Sequence, residues 1–249
     1  MKVVVIGGTG LIGSKLIARL VSNGHDAVAA ALQTGVNTMT GQGLDDAVAG
    51  ADVVVDVSNS PSFADDDVMS FFVTSTGNIL EADRRAGVRH HVALSVVGTG
   101  SLPDSGYLRA KAAQEELIET SGVPYSIVRA TQFFEFTTAI ADASMVEGTL
   151  RLAPVHYQPM AADDVAAALS RVAVGEPLDG VKEIGGPDRV RMDQFIAAAL
   201  ARAGDVRELV VDEHARYFNT ELDDDSLVPG AHAELGTTTY ETWLKETAS

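Results

Sequence analysis

Val3-Val4-Val5-Ile6-Gly7-Gly8-Thr9-Gly10-Leu11-Ile12-Gly13 decides how this chain is read. Four β-branched residues in a row predict a strand buried on both faces. Glycines then interrupt the chain. From Leu11 to Asn23, apolar Leu11, Ile12, Leu16, Ile17, Leu20 and Val21 recur at helical spacing, with Gly24 as the stop. The glycines fit G-x-x-G-x-x-G from Gly7 and G-x-G-x-x-G from Gly8, and a strand-to-helix turn is the context that gives such spacing a meaning. Glycine permits positive φ, a turn without side chains lets backbone N–H groups approach a pyrophosphate, and the helix start adds partial positive charge. Gly7, Thr9, Gly10, Leu11, Ile12 and Gly13 are therefore the expected phosphate-binding turn of a dinucleotide site.

Outward from this turn the pattern alternates. Strands are expected at Ala27–Ala31, Val53–Val57, Val92–Val97 and Tyr125–Val128. Helices are expected at Leu44–Ala49, Val68–Ala86 and Tyr107–Thr120, the first two closed by Gly50 and Gly87 and the third followed by Gly122. Strand and helix alternate without hairpin signals, which predicts an α/β fold: a Rossmann-like, doubly wound parallel sheet with helices on both faces. After Arg129 the pattern loosens. Helices at Val165–Val174, Phe195–Ala203 and Thr239–Glu246, with short strands at Lys182–Ile184 and Val206–Val211, suggest that residues 1–249 form one NAD(P)-binding domain. Its later part, from about 176 to 249, is expected to be a small C-terminal substrate lobe.

Composition narrows the function. Of the 249 residues, 46% are hydrophobic and 21% charged, an ordinary globular mix. The absence of cysteine excludes a disulfide framework, a thiolate metal site and a cysteine nucleophile. Lys+Arg 18 against Asp+Glu 35 gives a net charge of −17, which phosphate backbones and anionic lipid repel, so neither nucleic acid nor membrane is an expected partner. No stretch approaches the ~20 apolar residues of a membrane span, and the expected location is the cytoplasm. His90-His91 point oppositely on an extended strand and Asp223-Asp224-Asp225 lacks calcium-loop spacing, so no metal is expected.

Tyr107 and Lys111 stand at i and i+4, on one helix face. An ammonium ~4 Å from a phenol, at an effective dielectric near 20, is worth about 4 kcal/mol. That is enough to bring the Tyr107 hydroxyl toward neutrality, where it would pass a proton to a carbonyl oxygen as hydride reaches carbon. Ser95, in the fourth strand, would hold that oxygen, and Lys111 would also reach the cofactor ribose. Ser58, Asn59 and Ser60 follow the third strand and Thr131 follows the fifth, at the sheet edge where such ligands bind. Beyond the second strand, Gln33 and Thr34 offer no carboxylate against a 2′-phosphate, which favours NADP, with NAD as the alternative.

These motifs resemble the short-chain dehydrogenase/reductase superfamily, in its atypical NmrA-like, NAD(P)H-binding branch. The resemblance covers nearly the whole chain. It rests on the glycine turn, Leu94-Ser95, Tyr107 with Lys111, and Tyr125-Ser126-Ile127-Val128-Arg129 followed by Phe133 and Phe134. Further along it rests on Gln158-Pro159-Met160, Asp163-Asp164-Val165-Ala166 and Ile184-Gly185-Gly186-Pro187. It implies that Ser95, Tyr107 and Lys111 are the catalytic set. Gln42 stands where the superfamily often has an acid. The expected activity is NAD(P)H-dependent reduction of a small carbonyl, quinone or similar electron-poor substrate. By position, Phe133, Phe134, Val155 and Tyr157 suggest an apolar or aromatic substrate. A non-catalytic NAD(P)-sensing regulator acting through a protein partner is the alternative.

Overall fold

The structure, a computed structural model, describes residues 1–247. In chain order the first part runs β1 (Lys2–Ile6), α1 (Leu11–Ser22), β2 (Asp26–Ala30), α2 (Leu44–Val48), β3 (Val53–Asp56), α3 (Asp65–Ala86), β4 (His90–Val96), α4 (Gly106–Glu119) and β5 (Tyr125–Ala130). Then follow α5 (Thr137–Ala143), β6 (Met145–Val146), β7 (Thr149–Leu152), β8 (His156–Tyr157), α6 (Ala162–Val174) and β9 (Gly180–Gly185). The chain closes with β10 (Val190–Arg191), α7 (Met192–Arg202), β11 (Leu209–Val211), β12 (Glu234–Leu235) and α8 (Tyr240–Thr247).

Seven strands form one sheet in the order β12-β9-β5-β4-β3-β1-β2, every pair parallel. The apolar run of β1 follows from this burial. Side chains alternate along a strand. Val3 and Val5 join Leu16 and Leu20 of α1 and Leu169 of α6, whereas Val4 and Ile6 join Leu44 of α2 and Ile79 of α3 on the other face. Each such side chain contributes roughly 1.5–3 kcal/mol when fully buried. β1 separates β2 from β3, so the chain's path reverses there, and a crevice opens at the carboxyl ends of the strands. Asp65, Asp66 and Asp67 form the first turn of α3, where its dipole favours acids.

A second hydrophobic core gathers Ile140, Leu150, Leu152, Tyr157, Ile196 and Tyr217. It takes residues from 140–157 as well as from 192–227, while α6 and β9 between them belong to the main sheet. The expected lobe of 176–249 thus begins within main-sheet elements, and its last two residues lie outside those described. At the amino end of β4 the paired histidines do diverge. His90 Nε2 lies 2.8 Å from Ser126 Oγ, and His91 Nδ1 lies 2.8 Å from Asp83 Oδ2. Among the described residues no helix is long and apolar enough to cross a membrane.

Candidate active site

A cleft of about 1520 Å³ runs along the carboxyl ends of β1 to β5. Its floor at one end is the glycine turn. Gly7 has φ +76°, the left-handed region that a side chain disfavours. A Cβ on Gly13 would lie 2.3 Å from the Gly7 carbonyl oxygen, so α1 starts as close to β1 as only glycine allows. Gly10 caps α1 without a side-chain hydrogen bond, and no acid stands in the helix's first turn. An uncapped helix start facing a cleft, beside a turn without side chains, fits a pyrophosphate. Gly7, Thr9, Gly10, Leu11, Ile12 and Gly13 all line the cleft.

Other expected cofactor residues divide. Gln33 lines the cleft and its Oε1 accepts from Thr9 Oγ1 at 3.0 Å. Thr34 does not line it, because its hydroxyl is engaged with the Ala31 N–H and carbonyl at 2.9 and 3.0 Å. Ser58 and Asn59 line it, whereas Ser60 is buried and accepts from Ser62 N at 3.2 Å. Thr131 lines it too, with a buried Oγ1 that has no hydrogen-bond partner among the described residues.

Ser95, Tyr107 and Lys111 meet in this cleft, but not in the expected electrostatic arrangement. The Lys111 ammonium is turned inward. Its Nζ donates to the Leu94 carbonyl at 2.8 Å and to Gln114 Oε1, and sits 4.5 Å from the centre of the Phe72 ring. Burial lowers it to about 8, against the opposing pull of Asp56 and Glu115. Tyr107 packs on Phe63 and Phe72, with ring centres 5.7 and 5.9 Å apart, and its hydroxyl makes a long 3.3 Å bond to Asn59 Oδ1. Burial pushes this phenol up to about 12. The expected fall toward neutrality is therefore corrected: desolvation governs Tyr107, and the ammonium meant to acidify it is held by other acceptors. Ser95 Oγ donates to Glu115 Oε1 at 2.5 Å, and Glu115 is clamped by Arg129 at 2.5 and 3.0 Å. Ser95 would have to leave Glu115 before it could hold a substrate oxygen.

The opposite end of the cleft is aromatic. Phe133 lines it and stacks on Phe136, centres 5.6 Å apart. Phe134 points the other way, into a cluster with Phe195, Tyr240 and Trp243. Val155 and Tyr157 are buried in the second core and also stay out of the cleft wall. In their place the structure brings Phe63, from the loop after β3, and Phe218, from the segment after β11, with ring centres 6.0 Å apart above Tyr107. Phe63, Phe136 and Val146 are exposed apolar side chains, and all line this cleft. Phe63 had one faint signal, a lone aromatic in the polar run Ser60-Pro61-Ser62-Phe63. Phe218 had none, since its place depends on the second core. Gln132 also lines the cleft, with a buried Oε1 that has no partner among the described residues. Behind the wall, Trp243 Nε1 donates to Glu135 Oε1 at 3.0 Å.

Comparison with known proteins bears on the fold and the family. A reductase of Streptomyces griseus, (4-alkanoyl-5-oxo-2,5-dihydrofuran-3-yl)methyl phosphate reductase, is 28% identical over 162 residues, 60% of this chain and 54% of that one. The chain spans about half the length of the curated relatives it matches. Among solved structures, the dTDP-glucose 4,6-dehydratase DesIV of Streptomyces venezuelae with NAD and TYD bound superposes with TM-score 0.76 at 17% identity, covering 99% of this chain and 95% of that one. The NADPH-dependent quinone oxidoreductase QOR2 of Escherichia coli, complexed with NADPH, gives TM-score 0.65 at 20% identity over 84% and 77% of the two chains. These likenesses show the Rossmann-like fold. A family model described as NAD(P)H-binding matches residues 7–174, and the chain belongs to that family, of NmrA-like, short-chain dehydrogenase/reductase type.

Proposed function

We propose that the protein is an NAD(P)H-dependent oxidoreductase that reduces a small carbonyl, quinone or similar electron-poor substrate, with Tyr107 as the proton donor. One observation carries this reading: a single cleft joins the glycine turn to a tyrosine hydroxyl under an apolar, aromatic mouth. Reduced nicotinamide, when bound, supplies the hydride. The raised pKa of Tyr107 suits the reductive direction. A phenol near 12 stays protonated at neutral pH. An alkoxide is about as basic as hydroxide, whose conjugate acid has a pKa of about 16, so the proton still moves downhill from Tyr107 to the new oxygen. The reverse reaction would need a phenolate that burial opposes, which favours reduction.

Lys111 has three N–H donors, and two are given to Leu94 and Gln114. We assign the third to a ribose hydroxyl of the cofactor. Thr131 Oγ1, unpartnered among the described residues, is a second candidate for that contact. NADP is the preferred dinucleotide in this reading. The cleft residues Ala30, Ala31, Leu32, Gln33 and Val36 to Met39 include no carboxylate to pair the ribose hydroxyls or repel a 2′-phosphate. Phe63, Phe133, Phe136 and Phe218 support an apolar or aromatic substrate.

The test is to mix the protein with NADPH and a panel of quinones and ketones and follow the absorbance of the reduced nicotinamide. Turnover that is lost in Tyr107→Phe is the expected result. NADPH binding without turnover on a broad panel overturns the oxidoreductase reading and points to a nucleotide sensor.

A further inference from the structure

Two buried polar groups, Gln114 and Asp56, stand behind Lys111 in a line. Lys111, Gln114 and Glu115 lie at i, i+3 and i+4 on the face of α4 that meets the sheet. Lys111 Nζ donates to Gln114 Oε1, Gln114 Nε2 donates to Asp56 Oδ2 at 3.1 Å, and Asp56 Oδ1 accepts from Ser58 N at 2.9 Å and Ser58 Oγ at 2.6 Å. Lys111, Gln114 and Asp56 are each at least 98% buried. The amide of Gln114 can sit only one way round, because its oxygen must face a cation and its N–H₂ a carboxylate. Of these three residues only Lys111 lines the cleft.

Burying a cation and an anion costs more than an apolar filling of the same space, so a fold selected for stability alone would fill this space with Leu or Met. The line instead ends at the one lysine that lines the cleft among the described residues. We infer that Asp56 and Gln114 are positioning residues, which fix the Lys111 ammonium at the cleft floor and keep it charged at neutral pH by relaying the Asp56 charge through one amide. This rests on the assignment of Lys111 to the cofactor. The other groups that bear on Lys111 are Glu115 of α4 and the Phe72 ring of α3, with Arg129 of β5 neutralising Glu115. Asp56 is thus the carboxylate near Lys111 that no arginine or other lysine is seen to neutralise among the described residues.

The experiment reads Lys111 directly. The chain has five lysines, so protein labelled with ¹³C and ¹⁵N at lysine gives a tractable NMR titration. In Asp56→Asn and in Gln114→Leu the Lys111 midpoint is expected to fall by about one pH unit or more. NADPH Kd at pH 8 is expected to rise by about tenfold in both. The double variant is expected to shift no further than the larger single one, because the two act through one path. A midpoint that does not move in a folded Asp56→Asn protein overturns the relay, as does a double shift equal to the two singles together. If Asp56→Asn does not fold, Gln114→Leu and Gln114→Met decide the matter in the same way. A shifted Lys111 midpoint with NADPH Kd unchanged leaves the relay standing and overturns the assignment of Lys111 to the cofactor.

Discussion

The two ends of the cleft are built by opposite means. The nucleotide end is made of backbone, seven consecutive residues from Gly7 to Gly13, and its chemistry depends on side chains being absent. The aromatic end, which we propose takes the substrate, is made of side chains, Phe63, Phe136 and Phe218, brought from three distant stretches. A site that needs bare backbone leaves a contiguous mark in sequence. A site made of ring faces does not, because its members are neighbours only after folding.

The difference can be pushed until it fails. Tyr107→Phe should strike hardest: kcat falls by about 10²–10⁴ while NADPH Kd is unchanged, since only the proton is removed. A comparable loss of NADPH affinity would mean that the tyrosine belongs to the nucleotide end. Gly13→Ala should do the reverse. The added methyl clashes with the Gly7 carbonyl, and strain of about 3 kcal/mol weakens NADPH binding by roughly two orders of magnitude, seen by titration. Lys111 supplies a pH signature. Its burial-lowered pKa means that the charged form is lost as pH rises through about 8, so NADPH Kd should be level from pH 6 to 7 and climb by up to tenfold per pH unit above 8. A flat Kd to pH 10 would remove Lys111 from the nucleotide end. Smallest are Phe63→Ala and Phe218→Ala. Losing one ring contact of about 0.5–1.5 kcal/mol should raise KM for flat aromatic substrates two- to tenfold and leave NADPH Kd alone. Equal effects on small aliphatic carbonyls would show that the rings merely shape the loops.

The same contrast explains what could be read beforehand. The elements from Lys2 to Ala130 are visible because most strands carry a continuous apolar run and Gly24, Gly50, Gly87 and Gly122 follow shortly after the four helices. The second core is harder. β8 and β10 are two residues long, and β7 is four, too short for any period to show. Phe133 and Phe134 show how a neighbour is misjudged. Phe133 is extended, at φ −103° and ψ 146°, so the two adjacent rings leave on opposite sides, and only one reaches the cleft. Ser95, Tyr107 and Lys111 were legible as a set because their spacing is local. The partners that decide their protonation, Glu115, Asp56 and the Phe63 and Phe72 rings, were not. Spacing places a lysine near a tyrosine, but it does not say which acceptor the ammonium will choose once water is gone.

The chain has a single tryptophan, whose indole N–H is tied to Glu135, the residue before Phe136 of the cleft wall, and whose ring packs against Phe134. Anything that shifts that wall changes the surroundings of the one strong ultraviolet emitter in the molecule. Under the proposed function, tryptophan emission is expected to respond when a substrate enters the aromatic end, with no label added.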